Sequence, residues 1–105
     1  MKYRVGFRPR AQADLFALYS YIHLQAGHKI AGEYVDRIEA ACLSLGNFPH
    51  RGTRRDDIRP GIRTMGFERR ATIVFRVRKT AVVIVRILYG GRDYSLALRA
   101  EKNKA

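Results

Sequence analysis

The chain carries hydroxyls, imidazoles, one thiol and many guanidinium groups, and only the guanidinium groups occur in a number that points to chemistry. His23, His28 and His50 lack the i, i+4 spacing that sets two imidazoles on one helical face for a metal, so they read as solvated polar residues. Ser20, Ser44 and Ser95 have no accompanying nucleophile-elbow glycines. Gly90-Gly91 is an isolated pair without the longer phosphate-cradling pattern, and is expected to end a strand. The single Cys42 can close no internal disulfide and build no zinc knuckle, which suits a reducing compartment. It falls in an apolar helical stripe, where a small packed hydrophobe is the common role. Against this sparse set stand 21 Lys plus Arg and 9 Asp plus Glu, a net charge of +12, with Arg well ahead of Lys. Guanidinium forks favour flat, bidentate contacts to carboxylate or phosphate, so acidic proteins and nucleic acid are the partners that this charge admits. The plain alternative is a set of solvated arginines with no partner. No cofactor is expected.

The elements that must position these side chains follow from periodicity. A length of 105 residues, 47% hydrophobic and 29% charged, suits a single folded domain spanning 1–105. Residues 2–8 alternate, with Tyr3, Val5 and Phe7 on one side and Lys2, Arg4 and Arg8 on the other, the period of a half-buried strand. After Pro9, the residues Ala11, Leu15, Leu18, Tyr19 and Ile22 fall at helical spacing, and this helix should end near Ala26-Gly27-His28. A second helical stripe, Ala31, Tyr34, Val35, Ile38, Ala41, Cys42 and Leu45, is stopped by Gly46-Asn47 and Pro49. The short link predicts a helical hairpin whose apolar stripe needs a sheet. Residues 47–61 follow neither period and read as an ordered loop. Strands are predicted over 62–67, 72–78 and 81–89, the last apolar on both sides except for Arg86, as in a central strand covered on two faces. Arg78-Lys79-Thr80 is short enough for a hairpin link. Residues 92–100 are expected to add a short helix and the last five to fray. The order is β-α-α-β-β-β, an α+β fold with an antiparallel-rich sheet backed by a helical hairpin. Arg4, Arg8, Arg10 and Asp14 interrupt the apolar opening before a signal-peptide core or membrane span can form, so the cytoplasm is the expected location.

Several short segments carry a resemblance. They are Ala13-Asp14-Leu15, Ala31 with Tyr34-Val35, Leu45 with Pro49 and Gly52, Asp57-Ile58, Gly61-Ile62-Arg63, and Val83-Ile84-Val85-Arg86-Ile87-Leu88 followed by Gly91-Arg92-Asp93. In this order and spacing the chain resembles the ParE branch of the RelE/ParE toxin–antitoxin superfamily over nearly its whole length. The resemblance implies a type II toxin that poisons DNA gyrase, in its complex with DNA, and that a ParD-like antitoxin neutralises in an oligomeric assembly. It implies no membrane partner. The RelE branch resembles ribosome-dependent messenger-RNA endonucleases, which need basic groups for phosphate charge and a tyrosine or equivalent acid–base group near the chain end. Here Thr72 stands where a RelE-like enzyme carries an arginine, and Leu98 where its tyrosine would fall. Arg92 is retained, Arg63 is a possible match, and Met65 is not basic. No catalytic residue is therefore expected. Tyr89 and Tyr94 keep the endonuclease open as the alternative, and a plain nucleic-acid-binding protein is a third class.

Strand parity yields an expectation for the antitoxin. If Tyr3, Val5, Phe7, Ile73, Phe75 and Val77 face the helices, then Lys2, Arg4, Arg76 and Arg78 face away, and by simple alternation Arg86 shares that outer face with Val82, Ile84 and Leu88. Such a face is apolar at its centre and basic at its margins, the pattern of a binding surface. The antitoxin is accordingly expected over Val74, Val82, Ile84 and Leu88, with its carboxylates near Arg63, Arg76, Arg86 and Arg92. The competing reading is that the C-terminal tail folds over the same strip.

Overall fold

A computed structural model describes residues 2–90. Its elements run β1 (Arg4–Phe7), α1 (Pro9–Ala26), α2 (His28–Ser44), β2 (Thr53–Arg54), β3 (Ile62–Phe67), β4 (Ala71–Val77) and β5 (Ala81–Tyr89). The expected β-α-α-β-β-β order holds, with one two-residue strand added inside the loop. Both residues of β2 are exposed, so no apolar period advertised it, and only pairing with Arg63 and Thr64 of β3 makes it a strand. The predicted C-terminal helix lies outside the described residues.

Pro9 opens α1, where its missing N–H costs nothing and its fixed φ is already helical. One residue, Gly27 with φ 93°, separates α1 from α2. That left-handed conformation is cheap for glycine and lets the chain reverse at once. The hairpin buries Ala11, Leu18 and Ile22 from α1, and Ala31, Tyr34, Ile38 and Cys42 from α2, against one face of the sheet. Burial of a Leu, Ile or Phe side chain contributes about 1.5–3 kcal/mol, so this layer is the main stabilising contact of the molecule.

The sheet order is β1-β5-β4-β3-β2, with β1 parallel to β5 and the other pairs antiparallel. As expected, β5 has neighbours on both edges and apolar clusters on both faces. Its register contains one irregularity. Val74 pairs with Arg86 but Phe75 pairs with Ile84, so Val85 is an extra residue in β5. A bulge of this kind inverts the alternation beyond it. Val82 and Ile84 before the bulge, and Ile87 after it, all pack in the cluster beneath the helices. The expectation that Val82 and Ile84 lie on the outer face is therefore corrected: both are fully buried on the helical side. Simple alternation from Arg86 backwards failed because one residue of the strand is unpaired.

Candidate functional site

The sheet face away from the helices carries Ile62, Val74 and Leu88, with Ile58 of the 55–61 loop packed on them and Val85 at their edge. Val74 and Leu88 are on the predicted face, yet they are 0% and 6% exposed, so the apolar centre is not open to a partner as expected. Arg76 lies opposite Ile62 and donates to the Pro60 carbonyl at 3.1 Å. Partial burial, followed by the like charges of Arg59, Arg78 and Arg8, pulls its pKa below the usual arginine value. The Arg59 Nε is buried without a hydrogen-bond partner among the described residues. This margin is thus a cluster of guanidinium groups that repel one another, and an anion laid across it would relieve that repulsion.

Arg63 does not share the outer face of the sheet with Arg76. It pairs with Phe75, which puts it on the helical side of the sheet, and its guanidinium donates to the backbone carbonyls of His50 at 2.7 Å and Arg51 at 3.2 Å. It fastens the chain that follows α2. Arg86 pairs with Val74 and has an internal role: its Nε and Nη2 donate to the Asp14 carboxylate at 2.7 and 3.1 Å. Asp14 also accepts the Ile87 N–H at 2.9 Å, on the stretch of β5 beyond its pairing with β1. An acidic side chain of α1 thereby takes the place of a neighbouring strand, and one buried ion pair ties helix to sheet. Arg92 lies outside the described residues.

Among the described residues, those weighed for nuclease chemistry lie on different faces of the sheet. Thr72 pairs with Leu88, Met65 pairs with Ile73 beneath the helices, and Tyr89 packs against the helical cluster. Tyr94 and Leu98 lie outside the described residues. The groups gathered around Arg76 are all arginines, which bind anions but do not exchange protons near neutral pH. The arrangement can hold a carboxylate or phosphate.

In the sequence Tyr21 reads with Tyr19 and Tyr34 as an aromatic surface on the hairpin, but Phe16, Leu24 and Ile30 are not singled out. Phe16 and Leu24 are 74% and 86% exposed, and Tyr21 and Ile30 about half exposed. These residues lie off the stripe that packs on the sheet, and the signal available was the width of the apolar arc around α1, which exceeds what one sheet can cover.

A family model described as the ParE toxin of the type II toxin–antitoxin system parDE matches residues 5–94. The chain belongs to the ParE toxin family. Toxin ParE3 of Caulobacter vibrioides is 35% identical over 85 residues, covering 81% of this chain and 84% of that protein. A solved structure of the chromosomal ParDE toxin–antitoxin system from P. aeruginosa superposes with a TM-score of 0.75 at 28% identity, over 85% of this chain and 97% of that one. The toxin–antitoxin complex RelBE2 from Mycobacterium tuberculosis has a TM-score of 0.62 at 20% identity, over 88% and 95% of the two chains, a likeness of fold alone. Among the described residues no helix of this ParE-family chain is long and apolar enough to cross a membrane.

Proposed function

We propose that this chain is the toxin of a type II pair, held inactive by a ParD-like antitoxin, and that its free form traps DNA gyrase on cleaved DNA. The observation that carries the reading is the ParE family match across residues 5–94, together with the 35% identity to a ParE toxin. The likeness to a chain of a ParDE system supports the antitoxin partnership. The chemistry is compatible with both partners, because a net charge of +12 and the Arg8, Arg59, Arg76 and Arg78 cluster favour either carboxylates or DNA phosphates.

On the outer face the antitoxin would meet the Arg76 cluster in place of the apolar strip expected from alternation. Val74 and Leu88 would then support the face from beneath, and Arg86 would fix the sheet edge. The target is tested by incubating purified protein with gyrase and supercoiled plasmid. Linear cleaved DNA should accumulate with rising toxin and disappear when the antitoxin is added first. Unchanged plasmid at saturating, correctly folded protein would remove gyrase as the target. Ribosome-dependent cleavage of messenger RNA in a parallel reaction would move the chain to the nuclease reading.

A further inference from the structure

On the face of the sheet away from the helices, strand register gathers arginines around the paired stretch of β1 and β5. Gly6 of β1 pairs with Val83 of β5, Val83 with Arg76 of β4, and Arg76 with Ile62 of β3, so these four share the outer face in one row. Two residues away along the extended chain, Arg4 and Arg8 flank Gly6, and Arg78 follows Arg76, all with the same facing. Arg4 and Arg8 stand about 13 Å apart along β1, and Arg76 lies two strands away, about 10 Å across the sheet. The Arg76 guanidinium is anchored to the Pro60 carbonyl at 3.1 Å, and Arg59, Arg78 and Arg8 are near enough to act on its charge. Between the arginines the surface is low, since a Cβ built on Gly6 would meet nothing within 4 Å.

None of these arginines has a carboxylate partner among the described residues. Elsewhere the fold pairs its guanidinium groups: Arg37 with Glu68, Arg54 with Asp56, Arg55 with Asp57 and Arg86 with Asp14. The other described carboxylates, Glu33, Asp36 and Glu39, are exposed on α2, in the layer across the sheet. The charge is therefore lopsided, with unpaired arginines on the outer face and the free carboxylates behind it, and this separation orients the molecule towards a polyanion before contact. Two features choose the polyanion. Ile58 packs over Val74 and Leu88 on this face, so an acidic peptide would find charge there without an apolar anchor. Tyr3, Phe7, Phe67, Phe75 and Tyr89 all pack towards the helices, so among the described residues the outer face of the sheet presents no ring on which an unpaired base could stack. A duplex needs neither, because its phosphates release counterions to any guanidinium group that meets them.

We propose that the outer face of β1 and β4 binds the phosphate backbone of duplex DNA through Arg4, Arg8, Arg76 and Arg78, without reading the bases. The proposal deepens the gyrase reading and rests on it only for the source of the DNA, the segment that the enzyme holds. A patch about 13 Å long matches roughly four phosphates of one strand, which follow one another every 3.4 Å or so along the helix axis. An antitoxin laid over the same arginines would exclude DNA, so the two partners would compete for one surface.

The test follows the anisotropy of a fluorescein-labelled duplex of about 20 base pairs against the full chain, between about 50 and 300 mM salt. The logarithm of affinity should fall against that of salt concentration with a slope of about −3.6, four phosphates at about 0.9 each. Arg8→Gln combined with Arg78→Gln should reduce that slope by about 2 and weaken binding at about 100 mM salt by more than about tenfold. Lys29→Gln combined with Arg69→Gln removes the same charge from exposed positions on α2 and the β3–β4 turn, and should change affinity less than about threefold. A second pair of variants removes no arginine. Gly6→Ser has room for its side chain and should bind within about twofold of the parent, whereas Gly6→Asp should weaken binding more than about fivefold. Thermal melting by circular dichroism verifies that each variant is folded. Undetectable or salt-independent binding, an equal loss in the Lys29 and Arg69 control, or equal behaviour of the two Gly6 variants would overturn the proposal. Tighter binding of a single-stranded oligonucleotide would also overturn it, and tighter binding of a poly-glutamate peptide would assign the face to an acidic protein. If the duplex is bound as described and gyrase is not trapped, the target reading falls and the DNA surface stands. If gyrase is trapped by a chain that ignores the duplex, the target reading stands and this proposal falls.

Discussion

Arg86 and Asp14 form the residue pair on which the sheet edge depends, with side chains only 8% and 15% exposed. Removing one member leaves the other buried and charged. Arg86→Ala should therefore destabilise the protein by about 3 kcal/mol in urea unfolding. Adding Asp14→Asn should recover part of that loss, because the stranded charge is gone and an amide oxygen can still accept the Ile87 N–H. Cys42 illustrates the opposite environment. Burial, with a smaller contribution from Glu39, pushes its thiol up to about 12 from an ordinary 9.0. In the folded state the thiol keeps its proton where the unfolded chain has lost it, so the sign of the linkage is destabilising as pH rises from about 9 towards 12. Below 9 the group is neutral in both states and contributes no pH dependence. At pH 8 Cys42 should resist a thiol reagent in native protein and react promptly in urea; rapid native labelling would show that the helical layer opens readily.

At the scale of elements, the bulge at Val85 and the turns on either side of β3 decide which face each side chain meets. Ile84→Asp puts a carboxylate into the fully buried layer beneath the helices and should abolish folding, seen as loss of native circular dichroism and of cooperative melting. A folded Ile84→Asp protein would refute the register described for β5. Gly52, with φ 79°, is a second fixed point, because a Cβ there would run into the Thr64 carbonyl oxygen. Gly52→Ala should cost about 2 kcal/mol or more, combining left-handed strain with that clash, and should loosen the β2–β3 pairing. Neither result depends on any partner.

The whole molecule is a cation with two unlike surfaces, a guanidinium cluster on the outer face of the sheet and exposed aliphatic and aromatic groups on the helical hairpin. Long-range attraction would then bring in an acidic partner, and apolar burial would hold it. Raising salt from about 50 to about 500 mM should slow association by on the order of tenfold and change dissociation far less. Stopped-flow association and dissociation with the antitoxin measure both rates. A dissociation rate that changes as much as the association rate would mean that ion pairs, and not apolar contacts, hold the complex.

The sequence by itself determined the family and the described elements other than β2. Alternation in residues 3–7 and 72–77, the helical stripes before and after Gly27, and the apolar run 81–89 are local patterns, imposed by backbone geometry on any chain that must cover a core. The charge of +12 likewise follows from composition alone. Tertiary structure decided the faces. A single unpaired residue, Val85, sent Val82 and Ile84 into the helical layer, and pairing with Phe75 sent Arg63 the same way, because facing depends on register with a neighbouring strand that is distant in the chain. It also set Tyr34, Arg69 and Tyr89, from α2, the β3–β4 turn and β5, around one surface recess. No local period relates those three positions, and only the packing of the hairpin on the sheet brings them together.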